Sequence, residues 1–70
     1  MLSEIIVCNS VAYYRESIGL SINELATIIG VSPSTIISWE KGKNNPSINN
    51  VILLCNFFDI KMDDLVYLDE

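Results

Sequence analysis

Residues 24–47 read ELATIIGVSPSTIISWEKGKNNPS, and the order of apolar and chain-breaking residues in them prescribes two short helices joined by a tight turn. Leu25, Ala26 and Ile29 recur at spacings that place side chains on one face of a helix. Gly30 follows where a helix end favours a left-handed residue. Ser32 is then an N-cap, and Pro33 suits the first helical position, where a missing N–H costs nothing. Ile36 and Trp39 face inward from the second of these helices, and Gly42 ends it. The turn between them leaves room for little more than Gly30 and Val31.

Working outward, Ser21-Ile-Asn-Glu24 has the capping-box form, in which the Ser side chain accepts from the N3 amide and the Glu reaches back to the cap, so the earlier helix starts there. Upstream, Val7, Val11, Tyr14 and Ile18 step by four, three and four, with Cys8 and Arg15 on the same side. That spacing predicts an amphipathic first helix closed by Gly19. Downstream, Lys43-Asn44-Asn45-Pro46 is a polar loop running into Ser47, a further N-cap. Val51, Leu54, Cys55 and Phe58 supply the core stripe of a fourth helix, and Asp59 takes its end, since Asp tolerates the left-handed region better than most residues. A short fifth helix is expected around Met62 to Tyr67, with Lys61 a poor cap. The expectation is an all-α fold of five helices in one domain, residues 1–70.

Composition narrows the function. The 70-residue chain is half hydrophobic and 19% charged, which fits a small folded domain. A chain of this size buries only roughly 60% of the surface it exposes when unfolded. No apolar run approaches the roughly 20 residues that cross a bilayer, and the N-terminus lacks an export signal, so a cytoplasmic location without membrane attachment is expected. With no histidine and two well-separated cysteines, Cys8 and Cys55, no zinc spacing exists, and both thiols read as small buried hydrophobes. No metal, cofactor or nucleophile–base pair is indicated. Asp63-Asp64 reads as a helix N-terminal charge rather than an acid/base dyad, and no enzyme is expected.

The combination Leu25-Ala26, Gly30-Val31, Ile36, Trp39-Glu40, Lys41-Gly42 and Asn45-Pro46-Ser47 resembles the Cro/repressor-type (Xre-like, lambda-repressor-like) helix-turn-helix family over about residues 7–66. The resemblance implies a five-helix domain whose helix-turn-helix core spans about residues 21–41. It also implies that Arg15, late in the first helix, pairs with Glu40 at the end of the third as a structural ion pair.

The family's docking mode lays the third helix in the major groove, with the second helix's first turn beside it and neighbouring groups on phosphates. By resemblance, the DNA-facing positions are Ile22, Asn23, Ser32, Pro33, Ser34, Thr35, Ile37 and Ser38, with Lys41, Lys43 and Asn44 beside the backbone. Asn45 adds a further polar group there, and Ala12 stands where a basic residue is common. Double-stranded DNA is the implied partner, read as an inverted repeat by a homodimer joined through the fourth and fifth helices.

Two features pull the other way. The net charge is −5, with Asp59, Asp63, Asp64, Asp69 and Glu70 in the last twelve residues, whereas DNA affinity comes largely from Lys and Arg at phosphates. Base discrimination comes chiefly from Arg, Lys, Asn or Gln, and Pro33, Ser34, Ile37 and Ser38 offer none of these. The apolar Ile48, Leu53, Phe57, Val66, Tyr67 and Leu68, with Ile22 and Ile37, exceed what the core stripes require. The alternative is therefore a protein-binding member of the same fold, a modulator of another repressor or an antitoxin-like subunit.

Overall fold

The computed structural model describes residues 6–69. Strand β1 (Ile6–Asn9) leads into helices α1 (Val11–Ser17), α2 (Ile22–Ile29), α3 (Pro33–Glu40), α4 (Ile48–Phe58) and α5 (Met62–Leu65), and strand β2 (Val66–Asp69) closes the chain. Five helices form the body, and a two-stranded antiparallel ribbon joins the two ends of the fold.

Local signals start and stop the central helices. The Ser21 hydroxyl accepts from the Glu24 N–H at 3.0 Å while Glu24 Oε1 accepts from the Ser21 N–H at 2.8 Å, so the capping box is complete. Ser32 and Ser47 cap α3 and α4 in the same sense, accepting from the Thr35 and Asn50 amides. Gly30 takes φ +87° at the end of α2, and its N–H donates to the Ala26 carbonyl. Past α3, the Gly42 N–H donates to the Trp39 carbonyl and the Lys43 N–H to the Ser38 carbonyl, both at 3.0 Å. These two bonds form a Schellman motif around Gly42 at φ +75°. Asp59 ends α4 with φ +59°, the left-handed conformation expected of it.

The core is the cluster Val11, Leu25, Ala26, Ile29, Ile36, Trp39, Val51, Leu54, Cys55 and Leu65. Ala26 is 1% exposed between α2 and its neighbours, and a larger side chain there would force apart helices that pack closely. Val31 and Ile22 pack against this cluster from its margin, as do Tyr14, Leu20 and Phe58. Cys55 is buried, and burial, with a smaller push from the Asp64 carboxylate, raises its thiol, which keeps it protonated and inert at neutral pH. The Cys8 side chain lies outside what the structure describes.

Three sequence expectations are corrected. The first helix begins at Val11, and Val7 and Cys8 belong to β1, paired with Leu68 and Tyr67. A step of four from Val7 to Val11 suits a helix, but Asn9 intervenes: its Oδ1 accepts from the Val11 N–H at 3.2 Å and turns the chain before α1. Ile18 is the C-cap residue of α1 and 55% exposed, so it does not extend the inner stripe. The fifth helix stops at Leu65. Lys61 makes no side-chain cap bond, and a four-residue helix has little of its own to propagate. Val66 and Tyr67 go instead to extended backbone against β1, where β-branched and aromatic residues fit well.

Candidate nucleic-acid interface

Helix α3 is a short rod with one face committed to the core. Ile36 and Trp39 are 0% and 3% exposed. A 3.6-residue repeat therefore turns Pro33, Ser34 and Ile37 outward, all exposed, with Ser38 half-buried beside them. Ser34 and Ser38 are four apart and share a line along this outer face. Past the helix end, Lys41, Lys43 and Asn44 are exposed together on the turn around Gly42, and Asn45 follows them.

Hydroxyl groups crowd the N-terminal end of α3. Ser32 Oγ lies 3.0 Å from Ser34 Oγ and 2.8 Å from Thr35 Oγ1, and it also accepts from the Thr35 N–H at 3.3 Å. At the other end, Asn44 Nδ2 donates to Ser38 Oγ at 2.7 Å. The outer face of α3 thus carries hydroxyls toward both ends, with Pro33 and Ile37 as its exposed apolar residues. The first turn of α2 places Asn23 in the open, whereas Ile22 is half-buried against the core margin.

Arg15 does not belong to this exposed set. Its Nε donates to Glu40 Oε2 at 2.7 Å and its Nη2 to Glu40 Oε1 at 3.1 Å, a two-pronged bond, while Nη1 donates to the Leu20 carbonyl at 2.8 Å. The two side chains are 12% and 11% exposed. The hydrogen bond to Glu40 holds the guanidinium above even its ordinary high pKa, outweighing the burial that opposes it. Glu16 stands 3.6 Å away and remains largely in solvent. The pair pins α1 to the end of α3 and so fixes the angle at which α3 is presented.

Asn9 escaped the sequence reading. Its Nδ2 donates to the Trp39 carbonyl at 3.0 Å, tying the ribbon to the last turn of α3. An asparagine just ahead of a helix start is the available signal, and it points only to the local turn. A second feature missed is an open groove of about 410 Å³ along α2, lined by Leu20, Asn23, Glu24, Thr27 and Ile28. Exposed apolar side chains are also more numerous than expected: Tyr13, Ile52 and Met62 join Ile48, Leu53, Phe57 and Tyr67.

Two capped helices set by a glycine turn, with the second presenting a hydroxyl-bearing outer face followed by two exposed lysines, define a helix-turn-helix domain of the DNA-binding kind. The helix-turn-helix family model matches residues 11–65. The chain is 40% identical over 63 residues to the uncharacterized HTH-type transcriptional regulator MJ0272 of Methanocaldococcus jannaschii, covering 89% of this chain and 96% of that protein. Among solved structures, the restriction-modification controller protein C.AhdI of Aeromonas hydrophila superposes with a TM-score of 0.69 at 30% identity, over 77% of this chain and 82% of that one. A transcriptional regulator from Listeria innocua gives a TM-score of 0.75 at 25% identity, over 90% of this chain and 64% of that one.

The chain belongs to the helix-turn-helix family, in its Xre, lambda-repressor-like form, and is a DNA-binding transcriptional regulator. The family is one of regulators rather than enzymes. Among the described residues, no helix is long and apolar enough to cross a membrane.

Proposed function

We propose that the domain binds a specific operator in the cytoplasm as a homodimer, with α3 in the major groove of each half-site. The observation that carries this reading is the division of α3: Ile36 and Trp39 are sealed into the core while Pro33, Ser34, Ile37 and Ser38 line the opposite side next to Lys41, Lys43 and Asn44. Asn23, Ser32, Thr35 and Ile22 border that surface from the turn and from α2. Half-sites about one helical turn apart, arranged as an inverted repeat, suit a two-fold dimer.

The dimer face proposed is the outside of α4. Ile48–Phe58 contains no charged residue, and Ile48, Ile52, Leu53 and Phe57 are 38–60% exposed. On a protein of net charge −5, a neutral face is where a second copy approaches with least repulsion.

Because Arg15 is held by Glu40, phosphate contact falls to Lys41 and Lys43. A dimer would neutralise about four phosphates with them, giving a salt slope near −3.6. Replacing both lysines by alanine should lower DNA affinity and flatten that slope in a titration at several salt concentrations; unchanged binding would refute the contact map.

A second reading, a protein-binding modulator or antitoxin-like subunit, is favoured by the acidic charge and by the absence of long base-reading side chains on α3. Capture of sheared genomic DNA by the purified protein, at low and at physiological salt, separates the two. A shared inverted repeat retained at physiological salt supports the operator reading. Recovery of nothing, or of unselected DNA lost as salt rises, supports the protein partner.

A further inference from the structure

A serine hydroxyl has one proton to give and two lone pairs to receive, so on a DNA-facing helix it is ordinarily indifferent to the polarity of the base it meets. Helical hydroxyls commonly spend the proton on the carbonyl four residues back. Ser17 and Thr27 do so here, donating to the Tyr13 and Asn23 carbonyls at 2.6 and 3.0 Å. Ser38 is arranged differently. Its hydroxyl receives a hydrogen bond from Asn44 Nδ2 at 2.7 Å, and among the described residues its own proton meets no acceptor.

The turn after α3 enforces this. Gly42 at φ +75° reverses the chain so that the Lys43 N–H, at 3.0 Å, returns to the Ser38 carbonyl and Asn44 comes to lie over the Ser38 side chain. One lone pair of Ser38 Oγ is thereby occupied, and accepting a hydrogen bond strengthens the O–H as a donor.

We propose that Asn44 is a positioning residue that, by filling one lone pair of Ser38 Oγ, biases this hydroxyl toward donation, so that this position on α3 favours a base-edge acceptor in the major groove over the amino donor of cytosine. The inference rests on the operator reading above and supplies part of its specificity. The acceptors available are N7 of either purine, O6 of guanine and O4 of thymine, whereas cytosine presents only its N4 amino donor. With Asn44 on one lone pair, accepting from cytosine would have Ser38 Oγ receive two hydrogen bonds while its own proton meets no acceptor, and that imbalance lets a short side chain discriminate without a bidentate contact.

The test uses the operator recovered by genomic capture, with every half-site position varied through all four bases. Ser38→Ala, Asn44→Ala and the double variant are titrated against the set at fixed salt, and the Asn44 side-chain amide is followed by NMR in the free proteins. Ser38→Ala is expected to abolish the preference against cytosine at one position, costing roughly 3- to 10-fold on the preferred base and nothing on cytosine. Asn44→Ala should reproduce that loss of preference, and the double variant should be no worse than Ser38→Ala alone. The Asn44 amide should shift on Ser38→Ala.

Additive losses, or an Asn44→Ala loss equal for all four bases, as a neutral contact to phosphate would give, would overturn the proposal while leaving operator binding intact. An Asn44 amide indifferent to Ser38→Ala would overturn it without reference to DNA. Failure of the capture to select any sequence would overturn the operator reading and the proposal together.

Discussion

Arg15 places its guanidinium where it satisfies three acceptor atoms at once, two on Glu40 and the carbonyl of Leu20. At about one-tenth exposure, neither charge of the pair retains much water. Arg15→Ala would therefore strand the Glu40 carboxylate, and we expect a loss on the order of 3 kcal/mol in urea unfolding. Arg15→Lys should recover only part of it, because an ammonium cannot match the planar fork. A change under about 0.5 kcal/mol in Arg15→Ala would mean the pair behaves as a solvated surface contact. The partnership was legible through the family resemblance of the residues around it. Asn9 was not, because its partner carbonyl at Trp39 lies 30 residues away and no local pattern announces such a bond. The side of α3 that faces outward was legible from the Ile36 and Trp39 spacing, but the state of the Ser38 hydroxyl depends on where a later turn delivers Asn44.

Helices α2 and α3 were readable because their starts and stops are local: a serine, a proline or a glycine decides each within a few residues. The capping box at α2 also carries a pH dependence. Accepting from the Ser21 backbone N–H is the main reason the Glu24 carboxylate sits below the usual carboxylate range, with the Ser21 side chain adding to it. A carboxylate whose pKa is lower in the folded state stabilises above its unfolded value and loses that contribution as pH falls through the folded one. Glu24→Gln keeps an oxygen for the Ser21 amide but removes the titration, so its stability should decline less steeply than the parent's from about pH 5 to pH 3. Parallel acid limbs in the two proteins would show that the charge contributes nothing. The ends of the chain were less readable. Val7 satisfies both a helical step and a strand, and the choice is made by pairing with Leu68, a partner 61 residues distant.

Across the whole molecule, charge is distributed unevenly enough to orient association. The α4 face is uncharged, with Ile48, Ile52, Leu53 and Phe57 around the exposed Asn49 and Asn56, while Asp59, Asp63 and Asp64 crowd the adjoining segment. A symmetric dimer using α4 must keep these carboxylates at its rim, where solvent screens them. Leu53→Glu would place a charge in the middle of the proposed face of each copy. It should yield a folded monomer in sedimentation equilibrium, and operator affinity should drop because the two half-sites are no longer engaged together. A dimer that persists in this variant would locate the contact away from α4.

The ribbon that joins Ile6 to Asp69 also orders events in time. Closing nearly the entire chain into one loop has an entropic cost that grows with loop length, whereas α2 and α3 meet across a turn of a few residues. Helix-turn-helix assembly should therefore precede strand pairing, and the ribbon should be the last part to zip and the first to open. In native-state hydrogen exchange, the paired amides of β1 and β2 should exchange well before those of Ala26 and Ile36. Through Asn9 the ribbon grips the end of α3, so each opening briefly frees the Trp39 carbonyl. Helix α3 is thereby tied to the pairing of β1 with β2, and a partner or protease that parted the two strands would loosen the last turn of α3 from a distance.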